Sequence, residues 1–319
     1  MAAIRSLVQR VVVGSRSTAC GRYWTRLTQV LRRMAIPVIV AHLMALALVA
    51  HAADIVNVLY AASLVNLMEQ GIGPAFDKMG GDHFQGYPGG SNDIAYQIKS
   101  MLRSGDVFIS AVPEVNDRLM GPQNGSWVSW YITFAESPLV LGFNSAGRFA
   151  GDFNSKPWYQ VLAEPGIRIG RTNPGLDPKG ALTLRLMESA EAYYKSPGLS
   201  RRVLGAAINP AQVLPEETLV GRLQSGQLDV GFFYSTETSS ARIPEYRLPA
   251  EIVPKAVYTV TILRDAHNSS GAVRFIAYLL GAAGKALKTQ HGLDSDKPEL
   301  VGTLAAVPPE LRSFVDQSK

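Results

Sequence analysis

Apolar, β-rich runs that end on small or turn-forming residues and pass directly into helix-period segments recur along this chain, and no other feature restricts its fold as much. "IVNVLYA" (55–61) leads through Ala61-Ala62-Ser63 into a segment with Leu64, Leu67, Met68 and Ile72 on one helical face. Pro74 cannot donate to the Gln70 carbonyl, so a kink or early stop is predicted there. "HFQGYPGGS" (83–91) reads as a short strand and a glycine-rich turn, followed from Asn92 by a helix with Ile94, Ala95, Ile98 and Leu102 aligned. "DVFISAV" (106–112), "LDVGFFYS" (228–235) and "AVYTVTIL" (256–263) are further strands. "SWYITFAESPLVLGFN" (129–144) is extended, with a break expected at Ser137-Pro138, and "GIRIGRTNPGLDPKG" (166–180) is a strand ending in turn chemistry. Helices are predicted over 181–194, with Leu182, Leu186, Ala190 and Tyr193 aligned, over 215–226, and over 271–289. Such alternation implies an α/β fold of mostly parallel sheets with helices on both faces. Sheets of this kind bind ligands at the carboxyl ends of strands, where helices begin. The informative residues are therefore those at the strand-to-helix turns.

Charge points the same way by exclusion. The chain has a formal net charge of +5, yet residues 1–53 hold seven arginines and no acid, which leaves 24 basic against 26 acidic residues in 54–319. The basic balance belongs to the leader and argues for no nucleic-acid partner in the remainder. Arg32-Arg33 precede the apolar "MAIPVIVAHLMALALVAHAAD", and Ala50-His51-Ala52 fits an A-x-A cleavage site, so residues 1–53 read as a cleaved export signal. The long stretch ahead of Met34 reads either as an upstream start or as a twin-arginine signal. Cys20, the single cysteine, falls in that leader, so disulfides, thiol nucleophiles and cysteine metal sites are excluded from the exported chain. His83, His267 and His291 lie far apart without ligand spacing.

Three turns share small or hydroxyl residues: Ala61-Ala62-Ser63, Gly89-Gly90-Ser91 and Ile109-Ser110-Ala111. The first two directly precede helices, whose N-termini offer free N–H donors and partial positive charge. Two such termini facing one cleft would hold a small anion without Lys or Arg. Ser63 or Ser91 taken singly is an ordinary N-cap. In "NPGLDPKG" (173–180), Asp177 by itself suits an Asx-turn or an N-cap. Glu216 and Glu217 suit the first turn of a helix, and Tyr234 stands at a strand end.

Taken in order, "LYAASL", "GGSNDIAYQI", "GDVFISAVPEV", "FAESPLVLGFN", "WYQVLAEPGIRIGRTNPGLDPKG", "ESAEAYY", "VLPEETLVGRLQSGQLDVGFFYS" and "YRLPAEI" resemble the periplasmic molybdate/tungstate-binding proteins of ABC importers, the tungstate branch above all, across most of 54–290. The resemblance implies a two-lobed type II periplasmic-binding fold with two crossover strands that closes on its ligand. Lobe I would be 54–137 plus 246–319, and lobe II 138–245. It implies oxyanion donors at Ser63 and Ser91, a ligand-contacting Tyr234, and carboxylates at Asp177 and at Glu216 (or Glu217, depending on the anchor of the alignment). It further implies a periplasmic monomer that delivers its anion to a membrane permease, with no cofactor and no catalytic residue. The stretch between Asp177 and Glu216 is shorter than in the tungstate branch, so lobe II is trimmed.

A carboxylate beside an oxyanion is unfavourable where water is excluded. Two arrangements resolve the conflict. A hexavalent molybdenum or tungsten centre accepts further hard oxygen ligands, so Asp177 and Glu216 would complete its coordination; alternatively, one carboxyl is protonated and donates a hydrogen bond. Either discriminates against sulfate and phosphate. The competing readings are a receptor for sulfate, phosphate, an organic anion or ferric ion, and an enzyme on the same fold using Asp177 and Glu216 as an acid/base pair.

Overall fold

The computed structural model describes residues 54–293 and 297–315. The leader and cleavage site expected within residues 1–53, and Cys20, lie outside them. Nine strands are present among these residues: β1 (Asp54–Ala61), β2 (Asp82–Gly89), β3 (Val107–Ser110), β4 (Trp130–Phe143), β5 (Ile169–Gly170), β6 (Val230–Tyr234), β7 (Glu245–Arg247), β8 (Lys255–Ile262) and β9 (Glu299–Gly302). They form one curled sheet in the order β2-β1-β3-β8-β4-β6-β5, with β7 and β9 also paired to β4. Helices fill the connections, as the alternating pattern requires.

Parallel pairing, expected to predominate, is confined to β1 with β2 and β3, and to β5 with β6. The other pairs are antiparallel. The reason is topological. β4 leaves the first strand set for the second and β8 returns to the first, so these two neighbours run in opposite directions.

The break expected at Ser137-Pro138 is absent, because β4 runs unbroken through it. Residues 132–138 of β4 pair with β8, whereas 139–143 pair with β6. Pro138 therefore sits at the change of partner, where its missing N–H interrupts neither ladder. Leu139 N resumes the bonding by donating to Pro254 O at 2.9 Å. Ser137 Oγ meanwhile accepts from Thr236 N at 3.1 Å, fastening the crossing point to the end of β6.

Of the kink or early stop predicted at Pro74, the stop does not occur. A short α-turn (Val65–Leu67) widens into a π-helical stretch (Met68–Ile72) and continues as α-helix over Gly73–Asp77. Gly73 N bonds Met68 O, five residues back, so the wider turn absorbs the donor that Pro74 lacks. Gly73 is required by close packing: a Cβ there would stand 2.4 Å from Phe84 Cδ1. Three register expectations fail at element ends. Leu102 lies beyond the Ser91–Lys99 helix and is exposed, Tyr193 faces outward, and the terminal helix divides at Gly281 into Ser269–Leu280 and Ala282–Gln290.

Apolar burial fixes the elements that bear the turns. The Ser91–Lys99 helix buries Ile94, Ala95 and Ile98 against Leu59 and Phe108, and the Glu216–Gln224 helix buries Leu219 and Leu223 against Val140 and Phe233. Each large side chain so buried contributes about 1.5–3 kcal/mol. A larger core holds Tyr60, Phe134, Leu141, Phe232 and Tyr258, drawing on both strand sets. Among the described residues no helix is long and apolar enough to cross a membrane.

Lys288, on the Ala282–Gln290 helix, is only 2% exposed and places its ammonium 5.0 Å from the Phe134 ring centre. Burial, then the charge of Lys285, pulls its pKa down from 10.5 to about 8. A lysine with a depressed folded pKa binds fewer protons than the unfolded chain between those two values, so stability should rise with pH from about 8 to 10.5. Lys288→Met is expected to stabilise the protein at pH 7 by on the order of 2 kcal/mol and to flatten that rise, read from urea midpoints across the pH range.

Candidate functional site

The strand ends predicted to face a ligand converge. Ser63 lies in a 3₁₀ turn (Ala62–Leu64) directly after β1, and Ser91 opens the helix after β2. Neither acts as a side-chain N-cap. Ser63 Oγ is 3.0 Å from Tyr258 Oη, and Ser91 Oγ accepts from Ala111 N at 3.1 Å. Both are buried. Ser110, on the third small-residue turn, donates to Val112 O at 2.8 Å and is occupied locally.

On the facing side, Asp177 is the N-cap of the Pro178–Tyr193 helix. Its Oδ1 accepts from Lys179 N at 2.8 Å and from Thr172 Oγ1 at 2.9 Å. Glu216 is the first residue of the Glu216–Gln224 helix and is buried, whereas Glu217 is exposed, so helix phase turns one acid inward and its neighbour outward. Tyr234 ends β6 with no exposed surface, its ring 6.3 Å edge-on from that of Tyr258. A cleft of about 430 Å³ opens between the two sides, with Gly89, Gly90 and Asp93 on one and Thr172, Asp177 and Glu216 on the other. Ser63, Ser91 and Tyr234 are not part of its lining. Gly90 is where the two sides touch: a Cβ there would stand 2.5 Å from Leu176 O. Asp93 N, a first-turn donor of the Ser91–Lys99 helix, bonds Leu176 O at 3.0 Å.

Two polar atoms in this region are buried without an ordinary partner among the described residues: Tyr234 Oη, and Glu216 Oε2, whose carboxyl lies within hydrogen-bond reach of the Asp177 carboxyl and pairs with it only when one of the two carries a proton. Buried polar atoms are nearly always paired, so two orphans at one place are unusual. Burial, then the negative charge of Asp177, pushes the Glu216 carboxyl well above the usual carboxylate range, while Lys179 pulls the other way. Burial, then the neighbouring Asp177, likewise pushes the Tyr234 hydroxyl upward. Burial also raises Tyr258, opposed by its bond with Ser63. Both tyrosines therefore keep their protons and can donate.

Sequence reasoning missed the charge behind this wall. Lys179 is wholly buried, and its Nζ lies 2.8 and 2.9 Å from the two oxygens of Glu237 and 3.3 Å from Glu216 Oε1. Burial disfavours its ammonium, but Glu237, Glu216 and Asp177 together outweigh burial and raise its pKa. Glu237 is held in turn by Tyr234 N at 2.8 Å. The only hint in the sequence is the spacing, with Glu237 three residues after the strand end and Lys179 two after Asp177. Those spacings suit helix starts, and nothing local reveals that the two helices meet.

The profile of the family described as bacterial extracellular solute-binding protein matches residues 56–294. A molybdate/tungstate-binding protein, WtpA, of Thermococcus kodakarensis is 24% identical over 280 residues, covering 73% of this chain and 78% of its own. An uncharacterized solute-binding protein of Petrotoga mobilis is 29% identical over 257 residues, covering 71% of this chain and 79% of its own. Among solved structures, the Azotobacter vinelandii periplasmic molybdate-binding protein superposes with a TM-score of 0.58 at 21% identity, covering 75% of this chain and 98% of that one. That likeness is one of fold: the type II periplasmic-binding architecture.

The orphaned hydroxyl makes a stability prediction independent of any ligand. Tyr234→Phe removes a buried group that lacks a partner and should raise the ligand-free protein's stability by about 1 kcal/mol, seen as a higher Tm. Tyr258→Phe, which breaks the bond with Ser63, should lower it by about as much.

Proposed function

Since this chain belongs to the bacterial extracellular solute-binding proteins, we propose that it is a periplasmic receptor that captures molybdate or tungstate among Ser63, Ser91, Asp177, Glu216 and Tyr234 and hands the anion to the membrane permease of an ABC importer. The observation that supports this most is the pair of partnerless buried atoms, Glu216 Oε2 and Tyr234 Oη, beside Asp177. An oxyanion of molybdenum or tungsten would meet both, its oxygen accepting from the Tyr234 hydroxyl and its centre taking Glu216 Oε2 as a further oxygen ligand. The names of the Thermococcus and Azotobacter proteins favour the same ligand class.

In this reading Ser63, Ser91 and Tyr234 donate hydrogen bonds to the oxyanion. Asp177 and Glu216 approach its hexavalent centre as hard oxygen ligands. Sulfate and phosphate, whose central atoms do not expand their coordination, would meet two carboxylates without the coordination bonds that offset the repulsion. The lobes are taken as 54–137 with 246–319, and 138–245, closing across the Gly90–Leu176 contact. No residue is given a catalytic role.

Calorimetric titration of the purified protein with molybdate, tungstate, sulfate and phosphate tests the proposal. Heat of binding is expected for the first two; silence from both would end the reading. Asp177→Ala should weaken tungstate binding by roughly 10- to 100-fold, the range for losing a charge-assisted contact. Wild-type affinity in that variant would remove the carboxylate from the site.

A further inference from the structure

Lys179 occupies a position that the binding reading does not use. It is a fully buried ammonium, and it reaches each of the three residues that the second lobe supplies. Its backbone N–H bonds Asp177, its Nζ lies 3.3 Å from Glu216, and through Glu237 it is tied to the backbone of Tyr234. The same ammonium stands 5.5 Å from the centre of the Tyr234 ring.

The bonds are unequal. Glu237 receives two short contacts, at 2.8 and 2.9 Å, and Glu216 one long contact at 3.3 Å. Lys179 is thus neutralised mainly from behind, by Glu237, and lends the remainder of its field to Glu216. Three carboxyl groups, those of Asp177, Glu216 and Glu237, stand around the single ammonium of Lys179. Without the lysine, that wall would confront an incoming anion with one further uncompensated negative charge. The penalty grows with the charge of the anion, because Coulomb energy scales with the product of the charges.

We propose that Lys179 is a positioning residue that sets the charge of the ligand: it holds Glu216 in place and offsets the wall's negative field enough for the cleft to take a doubly charged tetrahedral oxyanion rather than a singly charged one. The inference rests on the oxyanion reading above and deepens it. A purely structural Lys179 would serve any bound anion equally, whereas a charge-setting one acts more strongly on a dianion.

Tungstate and perrhenate separate these cases, being tetrahedral oxyanions of the same shape that differ by one charge. Affinities of the full-length protein for sodium tungstate and sodium perrhenate are measured at pH 8 by calorimetry. Lys179→Met should weaken tungstate about tenfold more than perrhenate, the size expected when one unit charge acts across a partly screened interior. Glu237→Gln keeps an acceptor for Tyr234 N and removes the competing negative charge, so the tungstate-to-perrhenate affinity ratio should rise about threefold or more. Equal losses of both anions in Lys179→Met would overturn the proposal. An unchanged ratio in Glu237→Gln would overturn it as well, whether or not the lysine variant folds. A wild-type protein that binds neither anion would defeat the oxyanion reading itself and this inference with it; wild-type binding with ratios that never move would defeat only the role of Lys179.

Discussion

Both halves of the sheet hang on β4, a strand of fourteen residues that changes partner at Pro138 without breaking. A proline inside a two-sided ladder would cost a hydrogen bond, but at a point where one neighbour ends and another begins no bond is forfeited. The crossing point is fastened laterally, through Ser137 to the start of the helix that follows Tyr234. The strand ends on either side of the cleft are thereby set relative to one frame. β8 returns antiparallel beside it and brings Tyr258 to Ser63. The site thus depends on a backbone constraint at Pro138, next to Leu139, which pairs with Tyr234.

Around the cleft the dominant quantity is charge in a dry interior. An isolated buried ammonium or carboxylate is strongly unfavourable, and such groups persist only when paired and hydrogen-bonded. The described residues meet this condition for Lys179, Glu237 and Asp177, each of which is hydrogen-bonded to charged side chains, hydroxyls or backbone N–H groups. They leave it unmet at Glu216 Oε2 and at the Tyr234 hydroxyl. Two of the three unpaired buried side-chain atoms among the described residues thus fall in this one cluster, the third being Asn116 Oδ1. The stability forgone there is small beside the burial of Leu219, Leu223, Ile94 and Ile98, which hold the two cleft helices to the sheet.

Much of this was legible along the chain. Ala61-Ala62-Ser63 and Gly89-Gly90-Ser91 marked strand-to-helix turns, and the turns stand where the sheet presents its carboxyl ends. The need for glycine at position 90 became visible only from across the cleft, in the backbone of Leu176. Which of Glu216 and Glu217 is buried depends on helix phase at a terminus, where a shift of one residue rotates a side chain by about 100°. A kink or stop at Pro74 and a break at Pro138 are expected because local rules assign each proline a lost hydrogen bond. A π-turn in one case and a change of partner in the other removed the loss. The expected predominance of parallel pairing failed for a similar reason, since antiparallel order between β4 and β8 follows from the path of the chain and not from the composition of either strand.

The sequence by itself determined the class of fold, the strand-to-helix turns, and the absence of cysteine from residues 54–319, because periodicity, turn residues and cysteine count are local quantities. Only the tertiary structure decided that Lys179 lies between Glu216 and Glu237, although 37 and 58 residues separate it from them. Charge compensation in an interior depends on distances across the fold, and no local pattern encodes those distances.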